Sequence, residues 1–300
     1  MNKINLSPSL EVSRFVAGFW RLKEWKMSSR EILNYIEELL ETGVTTFDHA
    51  DIYGQAQCEA LFGEALKLKP ELRTKIQIVT KCGIIQKFDS NLKKNFQYYD
   101  TSYEHIIESV NRSLRNFGTD YIDLLLIHRS DPLMNPEETA KAFKELRDSG
   151  KVLNFGVSNF SIADFEMLNH YFDNKLVTNQ VEISPYDLEH FENGNISFFQ
   201  KEKIHPMAWS PLAGGKLIHP DDDASRRIHR KLSEVAEELG IKSIDVLIFA
   251  WLLRHPVGIL PILGTGKIER IHQALKALEI SLSTENWFKI YEAGLGHSVP

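Results

Sequence analysis

Cysteine is nearly absent: Cys58 and Cys82 are the only two in 300 residues, too few and too separated for a disulfide framework or a four-ligand zinc site. No long Lys/Arg tract occurs and the formal net charge is -6, so nucleic acid is a poor partner for this chain. No apolar run approaches the roughly 18 residues a spanning helix needs. The start, Met1-Asn2-Lys3-Ile4-Asn5-Leu6, lacks the apolar core of a signal peptide, so no membrane is expected and the predicted location is cytoplasmic. A strand followed by Gly-x-Gly-x-x-Gly is also missing, because Gly264-Thr265-Gly266 runs into Lys267-Ile268-Glu269. His49, Asp51 and His128 show neither His-x-His nor His-Glu-x-x-His spacing, and no metal is expected. What remains, 43% hydrophobic and 25% charged residues, describes an ordinary globular chain of one α/β barrel or two smaller domains.

Strand-like and helix-like segments alternate eight times along that chain. A small hairpin around Ser7-Pro8-Ser9 comes first, and residues 15–20 read as the first buried strand. Further strands fall at 44–47, 76–80, 121–127, 152–157, 177–183, 204–209 and 259–263, each an apolar or β-branched run. Between them lie helical spacings. Ser28 with Glu31, and Thr101 with Glu104, have capping-box spacing, Asn135-Pro136-Glu137-Glu138 reads as a helix start, and Gly43 and Gly150 read as stops. The connection over residues 86–100, with Phe88 and Tyr98-Tyr99, is longer than most strand-to-helix loops and is a candidate functional loop. The pattern predicts an α/β fold, a (β/α)8 TIM barrel with an N-terminal β-hairpin and an extra C-terminal helix. It is expected as one domain over 1–300, with 1–14 a hairpin cap and 280–300 a terminal helix and tail. An open doubly wound sheet is the alternative.

One stretch concentrates the chemistry. Thr45-Thr46-Phe47-Asp48-His49-Ala50-Asp51-Ile52-Tyr53-Gly54 begins as a buried strand and turns polar where a barrel keeps its active site. A phenol, with a reference pKa of about 10, donates a proton near neutrality only with help from nearby positive charge. Lys81 and His128 end two further apolar runs, and a barrel brings such strand ends to one rim. A unit charge about 4 Å away, at an effective dielectric near 20, lowers a phenol by up to about three units. Tyr53 is thus the expected proton donor, Lys81 its cationic neighbour, Asp48 the carboxylate that orients Lys81, and His128 a hydrogen-bonding partner for substrate oxygen and phenol. Such a set suits carbonyl reduction with hydride from a cofactor.

The run Thr46-Phe47-Asp48-His49-Ala50-Asp51-Ile52-Tyr53-Gly54 resembles the Asp-x-Ala-x-x-Tyr-Gly signature of the aldo/keto reductases. The resemblance continues through Lys81, Leu125-Leu126-Ile127-His128, Gly156-Val157-Ser158-Asn159-Phe160, Asn179-Gln180-Val181-Glu182, Trp209-Ser210-Pro211-Leu212 and residues 261–267. It implies an NADPH-dependent bacterial oxidoreductase acting on a small-molecule carbonyl substrate, with Asp48, Tyr53, Lys81 and His128 as catalytic residues. It further implies that Ser158, Asn159 and Gln180 hold the nicotinamide carboxamide and that Trp209 stacks on the ring. Gly18, Phe19 and Trp20 would line the other side, with Asp48 beside the cofactor. Ser210, Pro211, Leu212, Gly214 and Lys216 fall at the pyrophosphate, and Gly264, Thr265, Gly266, Lys267 and Arg270 at the adenosine 2′-phosphate, so NADP outranks NAD. Ala274 and Gly266 depart from the pattern, standing where many members have asparagine and a large or basic residue. A monomer is expected, with weak self-association the alternative. The rival functions are a cofactor-binding regulatory subunit with little turnover and a barrel hydrolase or lyase without nicotinamide.

Overall fold

The computed structural model describes residues 3–87 and 96–300. Its strands are β1 (Lys3–Ser7), β2 (Leu10–Ser13), β3 (Val16–Gly18), β4 (Thr46–Asp48), β5 (Gln77–Cys82), β6 (Ile84–Ile85), β7 (Tyr98–Tyr99), β8 (Ile122–Ile127), β9 (Val152–Ser158), β10 (Leu176–Glu182), β11 (Met207–Trp209) and β12 (Leu260–Leu263). Eight of them close into a parallel barrel in the order β10-β11-β12-β3-β4-β5-β8-β9. The (β/α)8 expectation is met, the open sheet is excluded, and the N-terminal hairpin is the antiparallel pair β1 and β2. Strands such as β8, Ile-Asp-Leu-Leu-Leu-Ile with every residue buried, are apolar on both faces because a parallel sheet is covered on both sides, the one exception here being Asp123, which pairs with Arg73.

Backbone contacts divide the chain into two compact units, Met1–Asn179 with Gly264–Ile268, and Gln180–Leu263 with Glu269–Pro300. In the first, the helix Ser29–Thr42 starts on the predicted capping box, Ser28 and Glu31 each bonding the other's backbone, and stops at Gly43 with φ 85°. Asn135 caps the helix Pro136–Asp148 as expected. The box predicted at Thr101 does not form. Asp100 accepts from the Ser102 hydroxyl, so Ser102 becomes the cap of the helix Tyr103–Phe117, while Thr101 is buried and donates to Asp131 over 2.9 Å. The first barrel strand ends at Gly18, and Trp20, expected within it, is 64% exposed. Of the long connection, β6 and β7 pair antiparallel, and Phe88 lies outside the described residues.

In the second unit the C-terminal helix Thr284–Leu295 is capped by Ser283. Trp287 on it stacks on the fully buried Trp251 at 5.0 Å and 7°. Each indole N–H donates to the other residue's carbonyl oxygen over 3.1 Å, so a buried and a half-buried ring pack together with both polar handles satisfied. Among the described residues no helix is long and apolar enough to cross a membrane.

Candidate active site

The turn after β4 is fixed by backbone bonds that continue beyond the strand. His49 N–H donates to Val79 O and Asp51 N–H to Lys81 O, over 2.8 and 3.0 Å, and Tyr53 N–H closes back on Ala50 O. Tyr53 then opens a single helical turn, Tyr53–Ala56, in which Gly54 has φ 59° and a Cβ would meet Cys58 Sγ at 2.6 Å. Only glycine combines that angle with that approach.

Lys81, buried on β5, reaches into this turn. Its ammonium donates to Asp48 Oδ1 and Oδ2 over 2.8 and 2.9 Å, to His49 O over 2.8 Å and to the Tyr53 phenol oxygen over 3.0 Å. Counting the carboxylate as one partner, all three ammonium hydrogens are engaged. Burial works against the Lys81 charge, but Asp48 and Tyr53 outweigh it and hold the ammonium above the usual lysine range. Tyr53 corrects an expectation. Burial pushes its phenol up more strongly than Lys81 pulls it down, and Asp48 adds to the rise, so the net direction is upward.

His128 follows β8 and meets the Tyr53 ring edge-on, with centroids 5.9 Å apart. Burial, then Lys81 and Arg129, hold it well below the ordinary histidine value, so the ring is neutral. Its Nδ1 is buried without a hydrogen-bond partner, and a bond to the phenol, expected from sequence, is not formed. Beside it, Asn159 adopts φ 58° and donates to Ser158 Oγ over 2.8 Å and to His128 O over 3.4 Å. That left-handed backbone on a non-glycine residue at the end of a barrel strand is the kind of strain found at ligand sites.

Behind the turn lies a cluster that sequence reasoning missed. Asp51 is buried and accepts from Arg112 Nη2 over 3.0 Å. Glu59 is buried and accepts from Thr80, Ser113 and Asn116 over 2.7, 2.8 and 3.0 Å. Burial and the neighbouring Glu59 push the Asp51 carboxyl up to about 8 against the opposing pull of Arg112, and burial also raises Glu59. His49 packs its ring on Phe19 at 4.8 Å and against Phe62 and Phe117, and neither ring nitrogen has a partner.

The residues expected to hold the cofactor fall in both units. In the first, Phe19 is fully buried in that aromatic packing and offers a ligand only backbone, whereas Trp20 is exposed, its ring 6.5 Å from that of Tyr53. Arg21 donates to Gly264 O over 3.0 Å and Tyr35 to Thr265 O over 2.5 Å, and Trp25 packs where a Gly266 Cβ would stand. Lys267 is exposed and makes no ion pair among the described residues, which suits a phosphate ligand. In the second unit, Gln180 is buried, Trp209 is half-buried, and Ser210 accepts from Gly214 N–H over 2.9 Å. Hypothetical Cβ atoms at Gly214 and Gly215 meet nothing within 4 Å, so this backbone is open to a ligand. Lys216 is otherwise engaged: it pairs with Asp222 over 2.9 Å and Asp221 over 3.5 Å, and Asp222 also accepts from Tyr186.

Comparison with known proteins bears on the fold and the family. The profile of the aldo/keto reductase family matches residues 14–294. An uncharacterized oxidoreductase of Bacillus subtilis, YcsN, is 49% identical over 300 residues, covering 100% of both chains. A 6-dehydroglucose reductase of Agrobacterium fabrum is 45% identical, again over 100% of both. The crystal structure of an aldo/keto reductase from Klebsiella pneumoniae in complex with NADP and acetate superposes with a TM-score of 0.76 at 25% identity, covering 93% of this chain and 90% of that one. With the barrel, the profile and full-length relatives in accord, the chain belongs to the aldo/keto reductase family.

Proposed function

We propose that this protein is an NADPH-dependent carbonyl reductase in which Tyr53 protonates the substrate oxygen. The observation that carries the reading is the direction of one hydrogen bond: Lys81 donates to the Tyr53 oxygen, so the phenol's own proton is left to be donated elsewhere. The upward shift of the phenol keeps that proton in place until a substrate oxygen gains negative charge. Lys81 then stabilises the phenolate that forms, and Asp48 holds Lys81 in position. Neutral His128 adds a donor without adding a second charge. NADPH, when bound, supplies the hydride.

Asp48, Ser158, Asn159, Gly264, Thr265 and Lys267 are the proposed cofactor residues of the first unit, with Gly18, Phe19, Trp20 and Gly266 contributing backbone or shape. In the second unit Gln180, Trp209, the Ser210-Pro211-Leu212 run, Gly214 and Arg270 take that role. Lys216, spoken for by Asp222, contributes by holding its own loop. The name of the Agrobacterium fabrum relative makes sugar carbonyls, 6-dehydroglucose first, the substrate class to try.

The test is NADPH oxidation with 6-dehydroglucose and with simple aromatic and aliphatic aldehydes. Tyr53→Phe is expected to lower turnover by about 10²- to 10⁴-fold while NADPH still quenches the protein's fluorescence. Turnover that survives the substitution would exclude Tyr53 as the acid.

A further inference from the structure

The Asp51–Arg112 pair takes no part in the proton chemistry above, yet it sits at the base of the turn that carries it. Asp51 lies between Asp48 and Tyr53 and is tied in two directions. Its N–H donates to Lys81 O on β5, and its carboxylate accepts from Arg112 on the helix Tyr103–Phe117. That helix is itself pinned, because Ser113 and Asn116 donate to Glu59, which also accepts from Thr80, the β5 neighbour of Lys81. One residue, through its backbone N–H and its carboxyl, therefore couples the Tyr53 turn, the Lys81 strand and the helix behind both.

The arrangement is costly. Besides Arg112, the Asp51 carboxyl meets no side-chain donor among the described residues, and its surroundings include the buried Glu59 carboxyl and the buried Cys82 thiol. Burial and Glu59 favour its neutral form more than Arg112 favours the charged one. Glu59 differs, because both of its oxygens are bonded and it ties strand to helix without reaching the turn. A residue kept at a stability cost beside reacting groups fits a trade of stability for activity.

We propose that Asp51, clamped by Arg112, is a positioning residue for carbonyl reduction, holding the Asp48-to-Tyr53 turn so that the phenol oxygen stays in reach of Lys81. The inference rests on the reductase reading. It is tested by steady-state kinetics and thermal unfolding at pH 6 and pH 8 for Asp51→Asn, Arg112→Lys, Arg112→Met and the Asp51→Asn/Arg112→Met double variant. Misplacement of a reacting group predicts that Asp51→Asn lowers kcat by about ten- to a hundredfold. KM should stay within about twofold, and the unfolding midpoint at pH 8 should hold or rise. Arg112→Lys should retain most of kcat, Arg112→Met should match Asp51→Asn, and the double variant should be no worse than either single one. Wild-type kcat in folded Asp51→Asn, or losses that multiply in the double variant, would overturn the proposal. Should Asp51→Asn fail to fold, the half-buried Arg112 position decides the matter, since Arg112→Met with wild-type kcat has the same meaning. Absence of NADPH oxidation by the wild-type protein with every carbonyl tested would instead remove the reductase reading itself.

Discussion

Lys81 gives a hydrogen bond to the Tyr53 phenol oxygen over 3.0 Å while both Asp48 carboxylate oxygens grip the same ammonium. The phenol oxygen is thereby an acceptor, and its proton is the mobile one. The lysine's charge stabilises what the phenol becomes, while burial sets what it is at rest.

A pH profile follows. Tyr53 is shifted upward and His128 well downward, so neither changes charge across the neutral range. In the reduction direction these two groups should give kcat no limb between about pH 6 and about pH 9. A step in that interval therefore belongs to Asp51, whose carboxyl is pushed up to about 8, and vanishes in Asp51→Asn. The fall from the phenol itself comes only beyond the ordinary phenol range near pH 10. In the alcohol-oxidising direction the phenolate is the useful form, and the rate should climb with pH over the same interval. Measuring kcat in both directions checks this. A reduction limb centred near pH 6.5 would assign the proton to a histidine instead.

The barrel was legible because its strands are apolar runs at regular intervals, and Asp48 and Lys81 because each ends one of those runs. The missed features share a different cause. Asp51 and Arg112 are polar residues in a turn and on a helix 61 positions apart, and nothing in either segment announces that the carboxyl is buried. The rise of the Tyr53 phenol was missed because the charge beside it can be read from sequence and the desolvation around it cannot. The helical pieces Leu22–Trp25 and Tyr53–Ala56 are single turns, too short for a 3.6-residue period to show. Lys216 looks like a phosphate ligand by position, although Asp221 and Asp222 shortly after it offered a signal that it is already paired.

His49 supplies a stability prediction. Its ring is stacked among Phe19, Phe62 and Phe117, with both nitrogens buried and unpartnered. An unsatisfied buried polar group costs about 1–3 kcal/mol, so His49→Phe should stabilise the protein by about 1 kcal/mol at pH 7, read as a midpoint rise of roughly 2–4 °C. Burial also holds the His49 pKa well below its unfolded value. The native state therefore binds fewer protons than the unfolded one below about pH 6.5, and the histidine's contribution is lost as pH falls through that range. The advantage of His49→Phe should widen from pH 7 to pH 5. A pH-independent difference would mean the ring is not held neutral.

Two lysines near the expected phosphates should behave oppositely. Lys267 is exposed and makes no ion pair among the described residues, while Lys216 is committed to Asp222 and Asp221. A charge-assisted contact to the 2′-phosphate is worth about tenfold in discrimination, so Lys267→Ala should reduce the ratio of kcat/KM for NADPH over NADH by about that factor. Lys216→Ala should leave the ratio within about twofold, acting on its own loop through Asp222. Kinetics with both cofactors distinguish these outcomes, and a ratio that collapses in Lys216→Ala would place the phosphate at Lys216.

At Gly266, where the family resemblance leads to the expectation of a larger residue, a neighbour leaves no space for one. A Cβ there would meet Trp25 ring atoms at 2.6, 2.9 and 3.0 Å, whereas its φ is not one that excludes side chains. The constraint is therefore space, not backbone angle. Trp25 has little room to retreat, lying 5.6 Å from the buried Phe19 ring and edge-on to Tyr35 at 5.8 Å, and Tyr35 bonds Thr265 O in the same loop. Overpacking of this kind costs about 1–3 kcal/mol, so Gly266→Ala should lower stability by about that amount and weaken NADPH binding if the loop holds the cofactor. Trp25→Ala removes the obstruction, and adding Gly266→Ala to it should cost at most about 0.5 kcal/mol more. Denaturant unfolding of the four proteins in this cycle gives the coupling directly. Additive losses would show that Gly266 is required by the backbone and that Trp25 merely lies nearby.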